Sequence, residues 1–221
     1  MKLTIFAATG GIGRLLVEQA VAAGHEVTAV ARHPQGLPTG VRVVAADLAR
    51  PDRVALESAV AGADAVLSGL GQRSSADRGV TSRGTRAITQ AMQATGVRRI
   101  VVISAAPVGT VPSPGRPRPP RADPGDGFFM RTVLSPAIKV AFGNLYTDLA
   151  LMEDVLRESG LDWTVVRPPQ LINTPLTGVY RTAYGRNLRR GMRISRADVA
   201  QLMLRSLTQP ETIRTVVGVA Y

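Results

Sequence analysis

Short, near-continuous aliphatic runs recur along the chain, and between them the apolar positions fall at helical spacing. Leu3–Ala7 predicts a buried strand, followed by a helix over about Gly11–Ala23 that Gly24 closes, where a left-handed residue is wanted. Val27–Ala31, Val41–Ala46, Ala65–Ser68, Arg99–Ser104 and Trp163–Val166 predict five further strands. Helices are predicted over Pro51–Ala61, Thr81–Thr95 and Asn144–Ser159, with Pro51 suited to a first turn and Gly62, Gly96 and Gly160 to the ends. Ser195 opens a last helix to Leu207, with Asp198 three residues on as a capping box, and Thr212–Val219 closes the series as a strand. Strands that are aliphatic throughout, alternating with helices, imply a parallel sheet covered on both faces. The pattern therefore predicts an α/β fold: a doubly wound, mostly parallel sheet of Rossmann type.

The chain has 221 residues, 45% of them apolar and 19% charged, enough for one domain over 1–221 with a substantial core. The C-terminal third is expected to add a small region on the substrate side. One break interrupts the alternation. Pro107–Gly127 carries prolines at 107, 112, 114, 117, 119, 120 and 124, so neither helix nor central strand is expected there. With strands and helices on both sides, it reads as a long excursion from one domain, a lid or binding loop, rather than a linker.

There is no cysteine, which excludes disulfides, thiolate nucleophiles and Cys-ligated metals, and only His25 and His33 are available as histidines. No metal site is expected. The net charge of +11 comes almost wholly from arginine, since Lys2 and Lys139 are the only lysines. Such a surplus calls for an anionic partner. The arginines are spread out, with modest clusters at 116–121 and 186–196, and aromatics make up only 4%. That favours a phosphorylated cofactor over a nucleic acid, which would want a stacking platform. The opening apolar run is too short for a signal peptide or a membrane anchor. A cytoplasmic enzyme acting on a small-molecule substrate, as monomer or homodimer, is the expectation.

The strongest chemistry lies in the first turn, Ala7-Ala8-Thr9-Gly10-Gly11-Ile12-Gly13, between a predicted strand and a predicted helix. Glycine at 10 lets the backbone approach a pyrophosphate, glycine at 13 lets the helix pack on the strand, and the helix N-terminus offers amides and a positive dipole end. Ala7 stands where the first glycine of such a fingerprint usually falls. After the second strand, Ala31-Arg32-His33-Pro34 supplies no acid for a ribose 2′-hydroxyl. Arg32 can instead pair with a 2′-phosphate, with Arg14 in support, so NADP(H) is favoured over NAD.

With these markers the sequence resembles the atypical short-chain dehydrogenase/reductases with an NAD(P)H-binding domain, and within them the NADPH-dependent flavin reductase/biliverdin-IXβ reductase branch with its NmrA-like relatives. The resemblance covers nearly the whole chain. It also rests on Ala46-Asp47-Leu48, Leu70-Gly71-Gln72-Arg73, Leu156–Leu161 running to Arg167-Pro168-Pro169, Pro175–Tyr180, and Ile194-Ser195-Arg196-Ala197-Asp198. It implies that Thr9, Gly10, Gly11 and Ile12 line a pyrophosphate, Arg32 a 2′-phosphate, and Asp47 and Leu48 an adenine edge. It places Gly71, Arg73 and Ser104 under the nicotinamide ribose, and Pro168, Pro169, Gln170 and Leu171 against the nicotinamide. Departures are specific: Ala105 stands where that branch has serine, Gln170 where it has histidine, and Gly36 where it has a second phosphate-binding arginine. Biliverdin or flavin as the substrate is put in question by them; cofactor binding is not.

The Tyr-x-x-x-Lys pair of typical short-chain reductases is absent. Tyr146 falls on the appropriate helix, but Ala150 follows at that spacing, and Tyr180 is followed by Tyr184. Asp148 and Glu153 on the same helix read as ordinary polar or capping residues. Hydride transfer to an acceptor that takes its proton from water, a flavin or quinone, suits this set. Ser104, Tyr146 and Gln170 are the candidate catalytic neighbours, with the acceptor under Phe128, Phe129 and the 107–127 excursion; the same phenylalanines could instead begin an amphipathic helix reaching Phe142. The competing class is a non-catalytic NADP(H) sensor of NmrA type.

Overall fold

A computed structural model describes residues 1–72, 74, 77–123 and 135–221, apart from the side chains of 135–142. Eight strands form one sheet in the order β3-β2-β1-β4-β5-β6-β10-β8. These are β1 Lys2–Phe6, β2 Glu26–Ala31, β3 Arg42–Ala45, β4 Ala65–Ser68, β5 Arg99–Ile103, β6 Asp162–Arg167, β8 Arg181–Tyr184 and β10 Thr215–Ala220. All neighbours pair in parallel except β8, which runs antiparallel along β10 at the edge. A separate parallel pair joins β7 Gln170–Ile172 to β9 Arg193–Ser195. The doubly wound α/β fold expected from the strand–helix alternation is the fold observed.

Among the described residues, five α-helices cover the sheet: α1 Gly11–Ala22, α2 Arg53–Val60, α3 Val80–Thr95, α4 Ser135–Glu158 and α5 Arg196–Arg205. Period-two alternation sends Leu3 and Ile5 of β1 to one face and Thr4 and Phe6 to the other. Leu3 and Ile5 join Leu16, Val17, Val199 and Met203 beneath α1 and α5. Phe6 joins Leu56, Ile88, Met92, Met152 and Leu156 beneath α2, α3 and α4. Aliphatic strands were legible because both faces are buried in this way.

Caps decide the helix boundaries. Ser195 accepts from the Asp198 amide at 2.9 Å, as the predicted capping box requires. Helix α2 starts at Arg53 instead of Pro51, because Asp52 takes the cap position and accepts from the Val54 amide at 2.9 Å. Helix α4 starts well before the predicted Asn144, at Ser135. Its Asp148 caps a different helix, accepting from the amides of Thr81 and Ser82 at the start of α3 at 2.9 and 3.1 Å. The capping role expected of Asp148 is the one it plays.

The described part of the proline-rich excursion, up to Asp123, forms no α-helix and no strand of the main sheet. Ala106–Thr110 forms a short 3-10 turn, and Val108 and Val111 are buried in the core beside α4. Further along, the Gly115 amide donates to Asp154 at 2.9 Å, and Asp123 accepts from the Asn187 amide at 2.8 Å. Residues 106–111, Gly115 and Asp123 thus have partners in the body of the fold. Phe128, Phe129 and the rest of 124–134 lie outside the described residues.

Candidate functional site

The strand order reverses between β1 and β4, and a cleft of about 590 Å3 opens there at the carboxyl ends of β1–β5. Reversal matters because the connections after β1 and β4 leave in opposite directions and cannot fill the space between them. The volume is in the usual range for small-molecule sites, roughly 300–1,000 Å3. Thr9, Gly10, Gly11, Ile12, Arg32, Asp47, Leu48, Gly71, Ser104 and Leu171 all line it. Ten of the expected site positions, from six separate segments, therefore converge on one cleft.

Backbone geometry explains the first turn. Ala7 leaves β1 with φ +55, a left-handed conformation that glycine adopts without penalty and alanine does not. Its carbonyl accepts from the Gly10 amide at 2.8 Å, which folds the chain back into α1. Gly13 faces that same carbonyl: a Cβ there would lie 2.0 Å from the Ala7 oxygen. Gly13 serves helix–strand packing and does not line the cleft. No side chain caps α1 at Gly10, and no acid sits in its first turn. An uncapped helix N-terminus aimed into a cleft fits an anion, and a dinucleotide diphosphate fits the residues present.

Arg32 leaves the end of β2 with its side chain 47% exposed, so its guanidinium is available to a ligand. The sequence around it offers no acid, yet the fold brings one: Asp77, from the segment before α3, stands 3.5 Å from the guanidinium. Asp77 also lines the cleft. Arg14 lies beside Gly36, its guanidinium 3.3 Å from where a Cβ of that glycine would be.

Arg196 was not among the expected site residues. Its side chain lies over Gly11, within 3.2 Å of where a Cβ would stand, and donates to Asn173 at 2.5 Å. Of the 186–196 arginine cluster, this member turns into the cleft. Sequence gave one hint, an arginine directly after the capping serine, but only the packing of α5 against α1 brings it over the glycine turn.

The candidate catalytic residues differ in their place relative to the cleft. Ser104 is 7% exposed on the cleft wall, and its hydroxyl donates to Glu153 at 2.9 Å. Tyr146 is packed against the core and does not line the cleft; burial pushes its phenol pKa up, so the ring stays protonated. Gln170 is exposed on β7, its amide donating to the Met192 carbonyl at 3.3 Å, and also lies off the cleft lining. Pro168 and Pro169 likewise stand behind the wall, while Leu171 reaches it. Arg73 is outside the described residues. Of the three, Ser104 alone lines the cleft, and β6 turns at Pro168 and carries Gln170 into the separate β7–β9 pair.

Glu153, read from sequence as an ordinary polar residue, is the centre of a buried network. It is 1% exposed and faces Arg167, itself 4% exposed, whose Nε donates to it at 2.8 Å while the guanidinium makes a second contact. Arg157 adds a contact at 2.6 Å and reaches on to Asp154 at 3.0 Å. Burial alone would raise the Glu153 pKa, but the two guanidinium partners and the Ser104 hydroxyl hold the carboxyl below the ordinary glutamate range.

Comparison with known proteins agrees with the fold. The NAD(P)H-binding family model matches residues 7–210. The chain belongs to that family. A putative NADH-flavin reductase from Streptococcus pneumoniae superposes with a TM-score of 0.76 at 26% identity, over 100% of this chain and 99% of that one. A short-chain dehydrogenase/reductase from Veillonella parvula, solved in complex with NADP, gives a TM-score of 0.76 at 20% identity over 100% and 94% of the two chains. An uncharacterised protein of Mycobacterium tuberculosis is 37% identical over 105 residues, 47% of this chain. The chain accounts for only 12% of the length of that relative. Among the described residues no helix is long and apolar enough to cross a membrane, and none of their His, Asp and Glu side chains group to hold a metal ion.

Proposed function

We propose that this NAD(P)H-binding chain is an NADPH-dependent oxidoreductase that transfers hydride to a small conjugated acceptor, a flavin, quinone or related carbonyl compound. The observation that carries the reading is Arg32: a half-exposed guanidinium at the end of β2, on the same cleft as the uncapped start of α1. One site for a diphosphate and one for a phosphate monoester are thus held apart by rigid backbone. A 2′-phosphorylated dinucleotide matches that pair better than its unphosphorylated counterpart.

The roles divide along the cleft. Thr9, Gly10, Gly11 and Ile12 present backbone to the diphosphate, and Arg196 covers it from α5. Asp47 and Leu48 flank the adenine; Leu48 is buried, and Asp47 is held by the Ala49 amide at 3.0 Å. Gly71, Ser104 and Leu171 line the nicotinamide end. When bound there, the dinucleotide supplies a hydride. The chain's own contribution is to orient that donor and to leave one face open to a flat acceptor. Among the described lining residues there is no lysine and no tyrosine, and His33 follows Arg32 at the end of β2. An acceptor whose reduced form collects its proton from water suits such a wall. The putative NADH-flavin reductase of S. pneumoniae lends support to this acceptor class.

The test is consumption of NADPH by the purified protein against a panel of free flavins and quinones. Turnover with at least one member is expected. Tight NADPH binding with no turnover across the panel would leave a sensor and overturn the enzymatic reading.

A further inference from the structure

The buried Glu153 does more than hold α4 against β6. A serine hydroxyl has one proton to give and two lone pairs to offer. An ionised carboxylate accepts only, and Glu153 is kept ionised by two arginines, one of them almost wholly buried. The 2.9 Å contact between Ser104 and Glu153 therefore has one possible polarity: Ser104 donates. Proton counting settles this without any observation of the hydrogen itself. What Ser104 has left for the cleft is its lone pairs.

We propose that Glu153 is a positioning residue that fixes Ser104 as a hydrogen-bond acceptor on the cleft wall, for a hydroxyl or amide donor of the nicotinamide riboside, and so withholds it as a proton donor from the substrate. This rests on the NADPH-dependent reading above and narrows its substrate class. A quinone or flavin gains one hydrogen and two electrons as hydride, the dinucleotide is oxidised, and the second hydrogen arrives as a proton from water. An isolated ketone needs a proton donated to its developing alkoxide, and Ser104 has none to donate. Flat, electron-poor conjugated acceptors are substrates; simple aliphatic ketones are not.

The backbone side of Ser104 is already satisfied, its amide donating to the Val166 carbonyl at 2.8 Å. Glu153 in turn has contacts on both oxygens, from Ser104 and Arg167 Nε on one and from the Arg167 and Arg157 terminal nitrogens on the other. Nothing remains for the carboxylate to do except hold this arrangement. Ser104 is the point where a network built for stability touches the cleft.

The test measures NADPH dissociation constants and acceptor turnover in Ser104→Ala, Glu153→Gln and the double variant. Ser104→Ala is expected to raise the NADPH dissociation constant about fivefold, the worth of one hydrogen bond. Glutamine at 153 can donate to the serine and reverse its polarity, so Glu153→Gln should weaken NADPH binding several-fold in the wild-type background and not further in Ser104→Ala. An equal effect of Glu153→Gln in both backgrounds would mean a structural role only and would overturn the proposal. If Glu153→Gln does not fold, Ser104→Ala decides alone: an unchanged dissociation constant, whether or not kcat falls, refutes it. Failure of the wild-type protein to bind NADPH would instead refute the functional reading on which this stands.

Discussion

At the scale of single residues, the glycine turn and Arg32 were legible because their chemistry is local. Gly10, Gly11 and Gly13 act within a few residues of where they stand, and Arg32 follows directly from the end of β2. Ala7 is a departure that sequence could name but not evaluate. Its φ of +55 puts an alanine where glycine is at ease. Ala7→Gly is expected to leave the cleft intact and stabilise the protein by up to about 1 kcal/mol, since relief of left-handed strain exceeds the entropy that glycine adds to the unfolded chain. Chemical denaturation measures this, and a loss of stability would show that the turn is unstrained. Asp77 was invisible in sequence, because only the fold brings the segment before α3 to Arg32 at 3.5 Å. Its carboxylate competes with a 2′-phosphate for the same guanidinium. Asp77→Asn should therefore tighten NADPH binding by about threefold to tenfold and NADH binding hardly at all. Weaker NADPH binding in that variant would mean that Asp77 positions Arg32 for the ligand.

At the scale of elements, the buried parallel strands and the helices capped by glycine or serine were readable, since burial on both faces and local caps write themselves into composition. The short strands β7, β8 and β9 were not. They hold three or four residues each, lie at an edge or outside the main sheet, and carry little apolar patterning. Their pairing with distant partners is what defines them. The proline-rich excursion was located correctly, but its role depends on tertiary partners: Asp154 from α4 receives the Gly115 amide, and Asp123 receives that of Asn187. Removing one anchor separates a structural excursion from a lid. Asp154→Ala should cost about 1–3 kcal/mol by leaving the Gly115 amide and one arm of Arg157 without their acceptor. Protease cleavage within 112–123 should accelerate, with the NADPH dissociation constant unchanged. A large loss of NADPH affinity would show that the excursion shapes the cofactor cleft after all.

At the scale of the whole molecule, a surplus of arginine is resolved into different tasks. Arg99 is half-buried among carbonyls and hydroxyls at the amino end of β5, where desolvation lowers its pKa to about 10. Arg157 and Arg167 neutralise Glu153, and Arg32 and Arg196 face the cleft. The net charge of +11 is therefore no argument for nucleic acid by itself. The Glu153 network also sets a pH limit. Its folded carboxyl titrates below its unfolded one, so its contribution to stability is complete above about pH 4.5 and drains away as pH falls through the folded value. Unfolding free energy measured between about pH 5 and pH 3 should fall less steeply in Glu153→Gln than in the wild-type protein. Identical slopes would mean that other carboxylates carry the acid limit. The central claim remains that the cleft at the sheet's reversal holds a 2′-phosphorylated dinucleotide through Arg32. Calorimetric titration of NADPH and NADH into wild-type and Arg32→Glu protein tests it most directly. The NADPH dissociation constant is expected to rise by about tenfold or more in Arg32→Glu, with little change for NADH; equal weakening of both nucleotides would contradict the assignment of Arg32 to the 2′-phosphate.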